Sequence, residues 1–156
     1  MRFQRTNYLV SDGNRALLFY RDILGMTLDF MKQSEEDSYS YEVFDIKKST
    51  PIEFAILSYK DQPRVMALTI LGKGNLDKNP LPRRSAICIE VDNVDEILYK
   101  CREHNFQCFK EERLVTHDGR EGREVGILDD DGNLTLIYKI EKKNEPSRNY
   151  RKRKPL

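Results

Sequence analysis

The side chains of this chain that could support nucleophilic or metal chemistry are few and scattered. Its 156 residues include three cysteines and two histidines. Cys88, Cys101 and Cys108 are odd in number and lack the C-x-x-C spacing of metal and redox motifs, so we expect buried thiols in a reducing compartment. A reactive thiol remains open for Cys88 alone. His104 and His117 fall at a predicted helix end and in a predicted turn, so we do not expect them to share a metal ion.

The overall composition is typical of a soluble domain. Apolar residues make up 38% and charged residues 34% of the chain. No window approaches the roughly 20 consecutive apolar residues that a membrane-spanning helix needs. The N-terminus lacks the apolar stretch of a secretion signal. We therefore expect a cytoplasmic protein without membrane contact.

Positive charge is concentrated at the C-terminus. Between residues 141 and 156, seven basic residues stand against two acidic ones. Pro146, Pro155 and the lack of hydrophobic periodicity predict a disordered tail over 142–156. The run from Arg151 to Lys154 could contact nucleic acid or an acidic partner. The preferred interpretation is a solvated tail that aids solubility or lies over a partner subunit.

The sequence pattern of the elements that must position these side chains occurs twice along the chain. A strand-like run at Asn7–Val10 precedes an amphipathic stretch that ends at Gly25. A second run at Ile87–Val91 precedes an amphipathic stretch that ends near Asn105. Both stretches place apolar residues on one helical face, which predicts two helices.

Sequence typical of β-strands follows each predicted helix. Each half therefore reads as β-α-β-β-β, with an additional short strand in the first half. We predict module one over about 1–72, a linker rich in glycine, asparagine and proline over 73–84, and module two over about 85–141. The strands predicted after the helices span 26–31, 39–46, 52–57 and 65–71 in module one, and 107–113, 123–128 and 134–140 in module two.

Three motifs in this order resemble the vicinal-oxygen-chelate superfamily, the glyoxalase/bleomycin resistance protein/dioxygenase type. Val-Ser-Asp at 10–12 with Phe-Tyr-Arg-Asp-Ile-Leu-Gly at 19–25 is similar to its opening signature. Val-Asp-Asn-Val-Asp at 91–95 is similar to the start of its second module. The run at 123–134 resembles its closing phrase, with Asp130 where proline is usual. The resemblance implies an α+β fold in which two βαβββ modules form a half-open mixed-sheet barrel around a cleft.

The resemblance also implies where metal ligands would lie, on the first and last strands of each module. The equivalent positions here hold Arg5, Ala86, Leu136 and either Thr69 or Leu71. These side chains cannot build a divalent site from oxygen and nitrogen ligands. We therefore expect no metal ion or other cofactor. Lewis-acid catalysis of the glyoxalase, epimerase or extradiol-dioxygenase type is not expected either.

Period-two alternation along the strands predicts which side chains enter the cleft. Arg5 would place a positive charge about where the metal's charge lies in the family, and there it would hold an anionic or carbonyl-bearing ligand. Alternatively, Arg5 pairs with Glu90 and closes the site. Cys88 lacks a neighbouring histidine, which disfavours it as a nucleophile. The predicted ligand-binding cleft consists of Arg5, Asn7, Cys88, Glu90, Leu136 and Tyr138.

The preferred functional interpretation is a protein of the bleomycin-resistance type that binds or sequesters a small organic molecule. The resemblance also implies a homodimer. One alternative is a metal-dependent enzyme (lactoylglutathione lyase-like, epimerase or extradiol dioxygenase) with atypical ligands such as Glu90, Glu53 or a residue of a partner subunit. Another is an interaction module that acts through its basic tail.

Overall fold

The structure is a computed structural model that describes residues 1–142. The hypotheses about the basic tail concern residues from 143 onward, which lie outside the described part of the chain. In chain order the elements are β1 (Thr6–Val10), α1 (Gly13–Leu17), a π-helical segment (Leu18–Ile23), β2 (Thr27–Gln33), α2 (Ser40–Val43), β3 (Glu53–Tyr59), β4 (Gln62–Ile70), β5 (Ala86–Glu90), α3 (Val94–Glu103), β6 (Gln107–Cys108), β7 (Glu112–Val115), β8 (Glu121–Leu128) and β9 (Leu134–Lys142).

The strands form two mixed sheets with matching topology. The first sheet has the order β1-β4-β3-β2, and the second has β5-β9-β8, with β6 and β7 both paired to β8. In each sheet the first strand runs parallel to the last, and the other pairs are antiparallel. This repeat confirms the predicted α+β fold with two related halves.

The helices begin and end where the sequence indicates. Asp12 Oδ1 accepts hydrogen bonds from two backbone N–H groups of the first turn of α1, at 3.0 and 3.1 Å. Asn93 Oδ1 accepts one at 3.2 Å in the first turn of α3. Each cap satisfies an N–H group that has no partner inside the helix. Gly25 and Asn105, which follow the two helical stretches, have positive φ values of 80° and 60°.

The main core lies between the helices and one face of each sheet. Alternate residues of the first strands point into it, as predicted: Tyr8 and Val10 are 7% and 0% exposed, and Ile89 is 7% exposed. The π-helical segment adds Phe19 and Tyr20, both fully buried, with the two rings in edge-to-face contact at 4.8 Å. The opposite face of each sheet points away from this core.

The strand predicted at 39–46 is wrong, because this segment forms the short helix α2. Tyr41 and Phe44 lie three residues apart and pack with Ile46 onto the first sheet, against Leu9 and Leu71. Aromatic and β-branched residues favour strands locally, but here packing against the sheet decides the conformation.

The strand predicted at 107–113 is divided, since β6 and β7 pair with β8 at separate points. The last strand also extends to Lys142, so the predicted tail begins within β9. No helix within residues 1–142 is both long enough and apolar enough to cross a membrane.

Candidate functional site

The two halves of the chain meet through a pair of reciprocal turns. The turn between β8 and β9 packs against the end of β1. There the Asn133 side chain donates to the carbonyl of Leu9 at 3.0 Å, and Asp131 Oδ2 accepts from the backbone N–H of Ser11 at 2.8 Å. These bonds satisfy backbone groups at the end of β1 that have no ladder partner.

The turn between β3 and β4 packs in the same way against the end of β5. The Tyr59 hydroxyl donates to the carbonyl of Glu90 at 3.1 Å. Lys60 Nζ lies 3.1 Å from the Asp92 carboxylate. The two reciprocal turns thus join β1 and β5, which belong to different sheets, each to the opposite half of the chain.

A buried carboxylate anchors the first of these turns. Asp129, 6% exposed, accepts from the Tyr20 hydroxyl at 2.9 Å and from the Asn133 backbone and side chain, both at 2.8 Å. Burial raises the pKa of Asp129, even though these hydrogen bonds favour its charged form. Tyr8 also bridges the halves, donating to the carbonyl of Leu134 at 3.1 Å, and burial raises the pKa of Tyr8 to about 12. The junction is therefore fixed by buried polar contacts.

An open groove of about 950 Å³ runs along this junction. One wall is the N-terminal segment before β1, a second is the β3–β4 turn, and the third is β5. We call it the junction groove. It is lined by Arg2, Phe3, Gln4, Thr6, Met26, Tyr59, Lys60, Asp61, Gln62, Pro63, Val65, Met66, Ala86, Ile87, Cys88, Ile89, Glu90, Asp92 and Tyr138.

The groove combines an apolar base with a charged rim. Met26, Met66 and Ile89 are 6%, 1% and 7% exposed and belong to the main core. On the rim, the hydrogen bond to Asp92 raises the pKa of Lys60, and the nearby Glu90 charge acts in the same direction. An apolar base with a few polar groups is the arrangement that small-molecule sites use.

Three of the predicted cleft residues line the junction groove. They are Cys88, Glu90 and Tyr138, and the β5–β9 register pairs Glu90 directly with Tyr138. Leu136 is the register partner of Cys88, so it lies on the same sheet face, but outside the groove lining. The four predicted cleft residues of module two therefore lie on one continuous surface.

The two predicted residues from module one lie elsewhere. Asn7 Oδ1 accepts a hydrogen bond from Thr69 Oγ1 at 3.1 Å, on the outer face of the first sheet. Arg5 precedes β1 and does not line the groove. In the described part of the chain its side chain makes no hydrogen bond or ion pair, so the alternative Arg5–Glu90 pair does not form.

The sequence interpretation missed two walls of the groove. Residues 2–4 carry no periodic pattern, and the Tyr59–Pro63 turn signals only a reversal of the chain. One signal was available, because the β3–β4 turn is the counterpart of the β8–β9 turn in the repeat. Equivalent turns in a duplicated fold are expected to contact equivalent strands of the opposite half.

The outer faces of the two sheets differ in exposure. On the first sheet the centre of this face is buried, with Ile56 and Thr69 each 2% exposed. On the second, Cys88 and Glu90 are exposed, and Phe109 is 43% exposed. The module-two face is therefore accessible along its first strand, β5.

The side chains at the family's metal positions do not fit a divalent ion. Ala86 and Leu136 carry no donor atom. Thr69 Oγ1 is engaged with Asn7, and Leu71 is packed in the smaller core under α2. Within residues 1–142 no cluster of three or more histidine, cysteine, aspartate or glutamate side chains is arranged to hold a metal.

Comparisons with known proteins agree with this architecture. Residues 2–137 match the family model of the Glyoxalase/Bleomycin resistance protein/Dioxygenase superfamily. No match was found among curated protein sequences.

Several solved structures share the fold. A glyoxalase family protein from Bacillus cereus superposes with a TM-score of 0.69 at 16% identity, covering 91% of this chain and 95% of that one. The trypanothione-dependent glyoxalase I of Leishmania major gives 0.64 at 21% identity, covering 89% and 86%. The fosfomycin resistance protein FosX of Listeria monocytogenes gives 0.55 at 13% identity, covering 90% and 94%. At these identities the likeness concerns the fold alone, but the family match spans nearly the whole described chain. The chain belongs to the glyoxalase/bleomycin resistance protein/dioxygenase superfamily.

Proposed function

We propose that this protein binds a small organic molecule in the junction groove, without a metal ion. The observation that carries the proposal is the groove itself, about 950 Å³ with an apolar base and a charged rim. Volumes of this order accommodate drug-sized ligands. Neighbours of the same fold are named for trypanothione dependence and for fosfomycin resistance, which supports a small-molecule ligand here.

The groove favours a ligand with an apolar body and polar ends. The body would lie on Met26, Met66 and Ile89, and removal of the ligand's own apolar surface from water there would contribute about 25 cal/mol per Å². The polar ends would reach Lys60 on the rim and Tyr138, the register partner of Glu90. Cys88 also lines the groove and serves as a reporter of occupancy.

The test uses 8-anilinonaphthalene-1-sulfonate, an aromatic anion whose fluorescence rises in apolar sites. We expect saturable binding to the folded chain and slower alkylation of Cys88 by N-ethylmaleimide when the probe is present. Ala86→Trp places an indole on exposed β5 inside the groove and should weaken binding at least tenfold. Ser85→Trp, one residue earlier and outside the lining, is the matched control. Unsaturable binding, or equal affinity in both variants, would rule out the groove as the site.

Arg5, Asn7 and Leu136 remain proposed as contributors from outside the groove lining. Arg5→Ala examines the ligand anchor directly, because Arg5 is the cation that the sequence predicts to hold the ligand, and its guanidinium makes no ion pair in the described structure. A loss of probe affinity would extend the site to the start of β1, whereas unchanged affinity would restrict it to β5, β9 and the β3–β4 turn.

We also propose that the protein forms a homodimer through the open module-two face. Phe109 lies against Gly126 on this face, with Leu134 and Leu136 beside it. A face with these apolar side chains is suited to an interface. Light scattering after size-exclusion chromatography should give twice the monomer mass, and Leu136→Glu should convert the protein to a monomer. A monomeric wild-type chain across micromolar concentrations would contradict this.

A further inference from the structure

One edge of β5 has no strand beside it in the described part of the chain. β5 lies at the end of the second sheet, where it pairs with β9. Just past β5, the Val91 N–H donates to the Tyr138 carbonyl at 2.9 Å, so the odd-numbered residues turn their backbone groups toward β9. The N–H and C=O groups of Ala86, Cys88 and Glu90 therefore point the other way. Such an open edge can pair with another extended chain.

The junction groove runs along this open edge. All five residues of β5 line the groove, whereas β9 contributes Tyr138 alone. A cavity over one face of a sheet would be lined by alternate residues, so the groove follows the edge of β5. Tyr59, on the facing wall, donates from its hydroxyl to the Glu90 carbonyl at 3.1 Å, which places that outward carbonyl at the groove. Within residues 1–142 the outward backbone groups of Cys88 have no hydrogen-bond partner.

The side chains around the edge are of two kinds. Toward the core, the apolar base is formed by Met26, Met66 and Ile89. On the other face of β5, Glu90 is exposed and makes no ion pair within residues 1–142, and the same holds for Asp61 on the β3–β4 turn. The whole lining carries three acidic and two basic side chains. The groove therefore favours apolar groups at its base and positive charge at its rim.

We propose that the junction groove takes a short, extended basic peptide that adds as a strand to the open edge of β5. This inference rests on the proposed function, since it names the class of ligand for the same groove. The outward N–H and C=O groups of Cys88 bind the peptide backbone, which supplies affinity. Alternate side chains of the peptide then lie on the apolar base and beside Glu90, which selects apolar and basic residues in turn. The five residues of β5 span about 16 Å, the length of about five peptide residues.

Backbone hydrogen exchange of the full chain, followed by NMR, tests the edge directly. The probe is the acetylated and amidated peptide Lys-Val-Lys-Val-Lys. In the free protein the Cys88 N–H should exchange rapidly, while the Ile89 N–H is protected by β9. Millimolar peptide should slow exchange at Cys88 at least tenfold and leave Ile89 unchanged. Slow exchange at Cys88 without peptide would show that the edge is already paired, and an unchanged rate with peptide would show that no strand is added. Either result overturns the proposal.

Two N-methylated forms of the peptide are matched controls. Only alternate N–H groups of an added strand point to β5, so N-methylation of the lysines and N-methylation of the valines should differ. One form should lose binding and the other should keep it: the lysine form loses it if the strand is antiparallel to β5, and the valine form if it is parallel. Equal effects of the two would contradict strand addition. The peptide Glu-Val-Glu-Val-Glu should bind at least tenfold more weakly, and Glu90→Gln should narrow that difference.

Two variants of one residue isolate the backbone group. Cys88→Pro removes the outward N–H at an edge position where proline is tolerated, and Cys88→Ala keeps it, while both lack the thiol. Peptide affinity should be at least tenfold lower for Cys88→Pro than for Cys88→Ala, and equal affinities would contradict the proposal. If Cys88→Pro fails to fold, the N-methylated peptides decide instead.

Binding of 8-anilinonaphthalene-1-sulfonate separates failure of this inference from failure of the proposed function. If the dye binds and Ala86→Trp weakens it, but the peptide does not bind, the groove remains a small-molecule site and the peptide proposal is wrong. If neither the dye nor the peptide binds, both proposals are wrong. Binding of both, with the peptide displacing the dye, supports both.

Discussion

Tyr20→Phe removes one oxygen atom from the buried junction between the two halves. The Tyr20 hydroxyl donates to Asp129 Oδ2 at 2.9 Å, and Tyr20 is fully buried. A hydrogen bond to a charged partner contributes about 1.5–3 kcal/mol, against about 0.5–1.5 kcal/mol for a neutral one. Asp129 keeps its other donors from Asn133 and Asp131. We therefore expect a loss of about 2 kcal/mol in the free energy of unfolding at pH 7.

Tyr8→Phe is the matched control, because it removes a second bridging hydroxyl whose acceptor is a neutral carbonyl at 3.1 Å. Tyr8→Phe should lower the free energy of unfolding by about 1 kcal/mol. Urea unfolding followed by circular dichroism gives both values on one scale, provided that the slope with denaturant is unchanged.

The cost of Tyr20→Phe should also depend on pH. Burial raises the folded-state pKa of Asp129 above its ordinary value of 3.8, so this carboxyl contributes stability below 3.8 that is lost as the pH rises through the folded-state pKa. The Tyr20 hydroxyl opposes that loss, since it favours the ionised form. The cost of removing it should be largest at pH 7 and should shrink toward the Tyr8→Phe value near pH 4. Equal costs for the two variants at pH 7, or a cost independent of pH, would refute the reasoning.

Further predictions concern the backbone. Gly122→Ala should cost about 3 kcal/mol or more, because the new Cβ would lie 2.1 Å from the Lys139 carbonyl oxygen. Gly25→Ala, at a φ of 80° and with no atom within 4 Å of the new Cβ, should lower the free energy of unfolding by only about 1–2 kcal/mol. If urea unfolding gives equal losses for the two variants, the clash at Gly122 is relieved and the prediction is wrong. Asp12→Ala and Asn93→Ala should each lower the free energy of unfolding by about 1 kcal/mol through loss of a helix cap. Asp12→Ser and Asn93→Ser keep a capping oxygen, so thermal melts should show a much smaller loss.

Local chemistry explains why much of the fold was predictable. The caps Asp12 and Asn93, and the positive-φ residues Gly25 and Asn105, act within a few residues of themselves, so their pattern is visible in the chain. Alternation along the first strands is equally local. The segment 39–46 was not predictable in this way, because its conformation depends on Leu9 and Leu71 from distant strands.

The candidate site was only half predictable for a similar reason. Cys88, Glu90 and Tyr138 share one face of adjacent strands, and their alternation places them correctly. The opposing wall, Tyr59–Pro63, comes from the other half of the chain and depends on how the halves dock. The predicted places of Arg5 and Asn7 in the same cleft rest on the family resemblance and on strand alternation. Strand register does not reveal that the Asn7 side chain is already hydrogen-bonded to Thr69.

The covering of the first sheet by α2 has a consequence for how this duplicated domain can evolve. Substitutions around Leu9 and Thr69 disturb packed surroundings and should mostly reduce the amount of folded protein. Substitutions at Cys88 or Glu90 meet solvent and should change selectivity with little effect on folding. The outer face of the first sheet around Leu9 and Thr69 is thus constrained by packing, whereas the exposed positions of β5 can change their ligand contacts without disturbing the core.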